Sequence, residues 1–120
     1  MKTIEEIDKA IAAHGMWKTR LKQAIDTREV DIPVEMIRTD NNCIFGKWLN
    51  GPTLTASDKA SDHYKSVKHL HAEFHTIAAR VAELALAGNR REAEKMISLG
   101  GEYASVSSKL TAAMKAWKNN

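Results

Sequence analysis

The first part of the chain carries an unbroken stripe of mainly apolar residues at helical spacing. At 100° per residue its members fall within one arc of about 100°. They are Ile4, Ile7, Ile11, His14, Leu21 and Ile25, with Trp17 and Ala24 at the edges of the stripe. This pattern predicts one amphipathic helix over about residues 2–27, with His14 in the middle of its buried face.

The periodicity then breaks over residues 28–42. Pro33 disfavours helix before it, and Asp40-Asn41-Asn42 is typical of turns and helix caps. The segment from Cys43 to Leu49 suits one or two helical turns, which Asn50-Gly51-Pro52 ends. We therefore expect a long first connection that contains one short helix.

A second long helix is predicted to begin near Thr55 to Asp58, where Thr-x-x-Asp resembles a capping box. It should end at Gly88-Asn89, because glycine commonly stops a helix. The buried stripe of this helix is His63, Val67, Leu70, His71, Phe74, Ala78 and Val81.

A third helix is predicted from the inward positions Ala93, Met96, Ile97, Gly100, Tyr103, Val106, Leu110, Met114 and Trp117. The Gly100-Gly101 pair in its middle costs about 1 kcal/mol per glycine relative to alanine, so we expect a kink or a close helix contact there. The fold class is therefore all-α: an antiparallel bundle of three long helices plus a short helix in the first connection, forming one domain over residues 1–120.

Composition and charge exclude several classes of protein. With 43% hydrophobic and 28% charged residues among 120, the chain is typical of a globular protein. No apolar stretch approaches the roughly 18 residues that span a bilayer, so no membrane contact is expected. The net charge is +3 with both signs interleaved, which argues against nucleic-acid binding. Because Met1 to Glu6 lacks a secretory pattern, we expect a cytoplasmic location.

Candidate chemistry begins with His71 and His75. Four residues apart on a helix, the two imidazoles stand one above the other, about 6 Å apart in rise, and both can reach one metal ion. Such a pair alone is a weak signal. His69 points about 200° away from His71, and His63 lies about 12 Å along the helix axis, so neither joins this pair.

His14 and Cys43 extend the set. A histidine centred on an apolar stripe needs a partner, which in a plain core is a backbone carbonyl. The single cysteine of the chain excludes an intramolecular disulfide, and alone it could be a small buried hydrophobic residue. However, Cys43 precedes a short helix, where helix-end N–H groups favour a thiolate. Three imidazoles and one thiolate form a four-coordinate set suited to zinc.

These three segments together resemble the chemoreceptor zinc-binding (CZB) family. Its pattern is an early histidine with an apolar or aromatic position after it, a Cys-x-x-Gly-x-Trp-like segment and His-x-x-x-His. They correspond here to His14-Gly-Met-Trp17, Cys43-Ile-Phe-Gly46-Lys-Trp48 and His71-Ala-Glu-Phe74-His75. The order and spacing of the three segments cover residues 14–75. The three segments together are specific for this family, whereas any one of them alone is not.

The resemblance implies a helical bundle that binds zinc through His14, Cys43, His71 and His75. It also implies a sensory role in bacterial chemotaxis or cyclic-dinucleotide signalling, with either zinc availability or an oxidant such as hypochlorous acid at Cys43 as the signal. Family members typically form homodimers and are attached to a methyl-accepting or diguanylate cyclase output domain. No such output domain is present here, which suggests an excised domain or a stand-alone member. We expect a dimer contact on the exposed part of the third helix.

Residues around the four candidate ligands have weaker assignments. Trp17, Phe45, Trp48 and Phe74 are expected to pack around the metal, as ordinary core residues also would, and Gly46 to allow close helix approach. Tyr64 and Glu73 are candidates for hydrogen bonds that orient an imidazole.

Three alternatives compete with a regulatory zinc module. A zinc hydrolase or lyase lacks support, because the chain has no His-Glu-x-x-His motif and no motif that places a carboxylate as general base. A di-iron bundle needs paired Glu-x-x-His segments, which are missing. We therefore expect no enzyme activity. The main alternative is a structural helical interaction or dimerisation module, in which zinc is purely structural.

Overall fold

The structure is a computed structural model that describes residues 2–30, 32–39 and 43–119, with the side chains of residues 2 and 3 left out. Within these ranges all regular structure is helical, which confirms the predicted all-α bundle. The helices are α1 (Lys2–Thr27), α2 (Val34–Arg38), α3 (Ile44–Asn50), α4 (Ala56–Lys59), α5 (Asp62–Leu86), α6 (Arg90–Ile97) and α7 (Glu102–Lys118). The turn predicted at Asp40 to Asn42 lies outside the described residues.

Helix α5 is central and packs against α1, α2, α6 and α7. Helix α7 is antiparallel to α1, since Lys118 at its end pairs with Asp8 near the start of α1 at 2.8 Å. Helices α1 and α5 run in the same direction, unlike the predicted antiparallel arrangement, with Arg28 after α1 lying against Gly88 after α5. The connection between α1 and α5 therefore returns the chain to the end of the bundle at which α1 begins.

The core is built from the apolar stripes of the three long helices. Most positions predicted to point inward are buried, including Leu21 on α1, Phe74 on α5 and Leu110 on α7. In the described part of the chain, no helix combines the length and the apolar character that crossing a bilayer requires.

The second predicted helix is divided in two. The Thr55–Asp58 capping box is present, but it opens the one-turn helix α4. Ser61 then caps a new helix, α5, by accepting a hydrogen bond from the Tyr64 N–H at 3.1 Å. A second capping residue, six positions after the first, thus ends the helical path of α4 and begins a separate helix. The predicted end of α5 at Gly88-Asn89 agrees with the structure, where Gly88 has a φ of 81°.

The third predicted helix is also divided, at Gly100-Gly101, so the expectation of one helix with Gly100 pointing inward was wrong. Gly100 is exposed and has a φ of 89°, a left-handed conformation that favours glycine. At Gly101 a Cβ would lie 2.3 Å from the carbonyl oxygens of Lys95 and Met96. The pair therefore ends α6 and lets the start of α7 approach the last turn of α6 closely.

The sequence does not predict helix α2, because the pattern of residues 28–42 lacks a helical period. Pro33 does not continue a preceding helix but caps this one, its carbonyl accepting hydrogen bonds from Met36 at 3.0 Å and Ile37 at 3.3 Å. The buried Ile37 and the hydrogen bond from Arg38 to Glu83 of α5, at 2.5 Å, hold α2 against the bundle.

Candidate metal centre

The four predicted ligand residues come together at one point between α1, α3 and α5. One donor atom from each of His14, Cys43, His71 and His75 can be chosen so that all four lie within 4.8 Å of one another. His14 is on α1, Cys43 directly precedes α3, and the two other histidines are one turn apart on α5. The cluster thus joins segments that are up to 61 residues apart in the chain (75 − 14).

Three of the donor atoms have the separations expected of a tetrahedral zinc site. The Nε2 atoms of His71 and His75 are 3.1 Å apart, and the Cys43 Sγ lies 3.3 Å and 3.6 Å from them. With bonds of about 2.0–2.1 Å to nitrogen and 2.3 Å to sulfur, a tetrahedron puts nitrogen atoms about 3.3 Å apart and nitrogen and sulfur about 3.6 Å apart. The side chains are therefore arranged for a metal ion without large movement.

Backbone carbonyls orient two of the imidazoles. The Nδ1 atom of His14 is 2.7 Å from the Ala10 carbonyl oxygen, and Nδ1 of His75 is 2.8 Å from the Ile37 carbonyl oxygen. Nδ1 acts as the donor in both hydrogen bonds, which leaves the Nε2 lone pair directed at the cluster. The short helix α2 thus contributes to the site through the Ile37 carbonyl.

Cys43 is the N-cap residue of α3. Its Sγ accepts a hydrogen bond from the Gly46 N–H at 3.3 Å, with a backbone φ of −86° and ψ of 160°. A partial positive charge from the exposed N–H groups at a helix start favours the thiolate form of such a cysteine. Gly46 itself is buried, so its backbone faces the sulfur in a dry environment.

The three histidines of the cluster are buried, which favours the neutral, metal-binding form of His14 and His71. His14, His71 and His75 are 5%, 0% and 2% exposed. Desolvation lowers the pKa of His14 to about 4, with a smaller contribution from His75. Desolvation also lowers the pKa of His71 to about 2, with His75 and His14 adding to the shift. The imidazoles of His14 and His71 are therefore neutral near pH 7, and neutral imidazole is the metal ligand.

Aromatic rings surround the imidazoles. Phe74 packs edge-to-face on His14 at 5.0 Å between ring centroids, and Phe45 packs on His71 at 5.2 Å. Trp17 lies 6.4 Å from His75. Trp48 is one layer further out, stacked on Phe45 at 5.6 Å. These rings limit the access of water to the imidazoles, which strengthens interactions between a cation and these ligands.

The two residues expected to orient imidazoles do not do so. Tyr64 donates its hydroxyl proton to the Leu49 carbonyl at 2.9 Å, because its side chain points from α5 to the end of α3. Glu73 is largely exposed and lies 3.7 Å from His69, one turn earlier on the outer face of α5. Backbone carbonyls occupy the expected role instead, and these carry no side-chain signal in the sequence. As predicted, His63 and His69 lie outside the cluster.

A cleft of about 410 Å³ opens beside the cluster. His14, Cys43 and His75 line it, and the two histidines are buried. Its outer walls include Met36 and Ile44, which are 48% and 82% exposed. Cys43 is only partly buried, so the cleft connects this residue with solvent.

The fold and the donor set define a helical bundle with a metal centre of one cysteine and three histidines, a combination that zinc prefers. Residues 14–82 match the family described as the chemoreceptor zinc-binding domain. This match covers more than half of the 120 residues, and the chain belongs to that family. Searches of curated proteins and of solved structures found no match.

Zinc is the cofactor that the family and the cluster indicate together. A separate observation on the site supports this fit. The Nε2 atom of His14 is buried and has no hydrogen-bond partner among the described residues, although a buried polar atom normally has one. A cation at the cluster would satisfy this atom. Because the cluster contains no carboxylate in the described part of the chain, it does not fit a di-iron centre.

Proposed function

We propose that His14, Cys43, His71 and His75 bind one zinc ion, and that this domain is a regulatory module that responds at that site. The observation that carries the proposal is the convergence of four donor atoms within 4.8 Å from three separate segments. Four protein ligands complete a tetrahedron and leave no position for an activated water molecule. The domain therefore acts without catalysis.

Two signals are compatible with this site. The first is an oxidant such as hypochlorous acid at Cys43. In that reaction the thiolate sulfur takes up the oxygen atom of HOCl, the O–Cl bond breaks and chloride leaves, so sulfur loses two electrons and chlorine gains them. The second is zinc itself, if the site exchanges metal within the cellular range. The cleft at Cys43 supports the first, because Cys43 lines it and is only partly buried.

Loss of the Cys43 ligand would release a clamp between helices. Cys43 caps α3, whereas the histidines belong to α1 and α5. Oxidation of the sulfur weakens its bond to zinc and removes the link that the metal makes from α3 to α1 and α5. A change in the position of α3 is a structural signal that an attached domain can detect.

The wider setting follows from the family. We infer that the domain works in the bacterial cytoplasm as a homodimer, within a chemoreceptor or diguanylate cyclase system whose output domain lies in a longer parent chain. Family membership supports this setting. Sedimentation velocity of the zinc-loaded protein tests the dimer, which a single monomeric species at micromolar concentration would contradict.

The test of the ligand assignment is native mass spectrometry of protein purified without chelator. We expect one zinc per chain, and weaker zinc binding with a lower melting temperature in Cys43→Ala and His71→Ala. His69→Ala is the matched control, since this histidine is also on α5 but is exposed. Variants that keep full zinc content and an unchanged melting temperature would contradict the assignment.

The same measurement separates the signals after less than one equivalent of hypochlorous acid. Zinc release in step with an added oxygen on Cys43 supports oxidant sensing. Zinc that remains bound after Cys43 is oxidised favours zinc sensing or the alternative, a structural module in which zinc only stabilises the bundle. An affinity well below nanomolar would then decide for the structural module, because such a site rarely empties.

A further inference from the structure

The cleft beside Cys43 is much larger than a small inorganic oxidant needs. Water occupies about 30 Å³ per molecule in the liquid, and hydrogen peroxide is only slightly larger. The volume of about 410 Å³ is an order of magnitude greater and falls within the range of about 300–1,000 Å³ that is usual for sites of organic ligands.

The walls of the cleft are mainly apolar. Ala10, Ala13 and Trp17 of α1 form one side, and Ile32, Met36, Ile44 and Phe45 extend the apolar surface toward Cys43. Ile44 and Met36 are exposed at the mouth of the cleft and add to its apolar walls. An apolar group of a ligand would be removed from water here.

The charged side chains that border the cleft already have partners. Lys9 lies 3.7 Å from Glu6. The guanidinium of Arg20 lies 4.0 Å from the centre of the Trp17 ring, in a cation–π contact. Glu6 and Lys9 offset each other and Arg20 leaves one positive charge at the cleft, so the cleft does not favour cations, and its mainly apolar walls make apolar contact its main means of selection.

We propose that this cleft selects organic hydroperoxides with an apolar body as oxidants of Cys43. The proposal rests on the proposed function, in which Cys43 is the redox-reactive residue. The Cys43 thiolate attacks the terminal oxygen of the hydroperoxide, the O–O bond breaks and an S–O bond forms. Sulfur loses two electrons, the peroxide is reduced, and the alkoxide takes a proton from water and leaves as the alcohol.

The expected preference can be worked from the apolar area. Moving about 80 Å² of a cumyl group out of water corresponds to roughly a thirtyfold gain in the rate at low concentration. Hydrogen peroxide has no apolar body and gains nothing. The rate constant of Cys43 oxidation by cumene hydroperoxide is divided by the rate constant for hydrogen peroxide. Dividing this ratio by the same ratio measured for N-acetylcysteine removes the intrinsic reactivity of each oxidant. The resulting normalised ratio should be about 30 on the same area scale.

The experiment measures these rate constants on the zinc-loaded full chain, following Cys43 oxidation by mass spectrometry of the labelled thiol. The double variant Met36→Gln, Ile44→Gln makes the wall polar without adding charge and should lower the normalised ratio about tenfold. The matched control is Met16→Gln, Leu99→Gln, since these residues are also exposed, at 61% and 103%, and lie outside the cleft. The control should leave the ratio unchanged.

The outcomes separate the inference from the proposed function. A normalised ratio near 1, or an equal fall in the control variant, overturns the selection of apolar hydroperoxides. If hypochlorous acid still oxidises Cys43 and releases zinc, the proposed function stands without this selectivity. If no oxidant modifies Cys43, oxidant sensing and the selectivity both fail.

Discussion

Replacing tyrosine by phenylalanine should change the stability of the protein in opposite directions at Tyr103 and at Tyr64. The hydroxyl of Tyr103 is buried and has no hydrogen-bond partner among the described residues, and burial raises the pKa of Tyr103 well above its usual range. The hydroxyl of Tyr64 is also buried but donates to the Leu49 carbonyl at 2.9 Å. Replacing each by phenylalanine removes the same oxygen atom from two different environments.

We expect Tyr103→Phe to stabilise the protein by about 1 kcal/mol, because the cost of about 1–3 kcal/mol for burying an unsatisfied hydroxyl disappears. Tyr64→Phe should destabilise it by about 1 kcal/mol, since it breaks a hydrogen bond and leaves a carbonyl without its donor. In a chain of this length these changes correspond to about 3–5 °C in melting temperature, upward and downward.

The assay is urea unfolding followed by circular dichroism, at the same saturating zinc concentration for all three proteins. Equal m-values would show that the variants differ in stability rather than in compactness. Zinc content, measured alongside, should be the same in all three. If Tyr103→Phe lowers the unfolding midpoint as Tyr64→Phe does, the Tyr103 hydroxyl has a partner and the reasoning is refuted.

Three further predictions concern pH, the helix break and the last turn of α7. Burial lowers the pKa of His14 to about 4 and that of His71 to about 2, so the unfolded chain binds both protons first as the pH falls. Chelator-treated protein should keep its full stability above about pH 6.5 and lose about 4 kcal/mol by about pH 5 in urea titrations, about 2 kcal/mol from each histidine, and a flat profile would contradict this. Thermal melts should show Gly101→Ala destabilised by about 2 kcal/mol or more, because of the 2.3 Å approach to backbone oxygens. Gly15→Ala on open α1 should be stabilised by up to about 1 kcal/mol, and equal shifts would refute the close-approach argument. Trp117→Ala should speed zinc loss to a chelator several-fold, because Trp117 packs on Trp48 of α3 at 5.7 Å; unchanged kinetics would disprove this coupling.

Elements with long, continuous stripes could be predicted from the sequence, whereas short ones could not. Helix α1 has about seven turns of consistent apolar spacing, and its predicted bounds agree with the structure. Helix α2 has only five residues, fewer than two turns, so no period can be recognised. Pro33 can end a helix or cap the next one, and packing of Ile37 on α5 decides between these in the folded protein.

The candidate site shows the same division between side chains and backbone. Its four donor residues can be recognised by their type and by their spacing in the sequence, so the sequence predicts them as one set. The carbonyls of Ala10 and Ile37 that orient two imidazoles could belong to any residue, and only the fold brings them there. The prediction that Tyr64 and Glu73 orient imidazoles was wrong, because closeness in sequence to a ligand does not determine the direction in which a polar side chain points.

The contact between Trp48 and Trp117 bears on whether this metal centre can be transplanted. The family match ends at residue 82, but Trp117 lies 35 positions later (117 − 82) and packs on Trp48, which in turn stacks on Phe45 beside His71. A graft of residues 14–82 onto another scaffold would carry every donor atom and still expose the outer face of α3. A designer who wants to reuse the centre must therefore supply a substitute for the last turn of α7, for example an aromatic residue from the host scaffold.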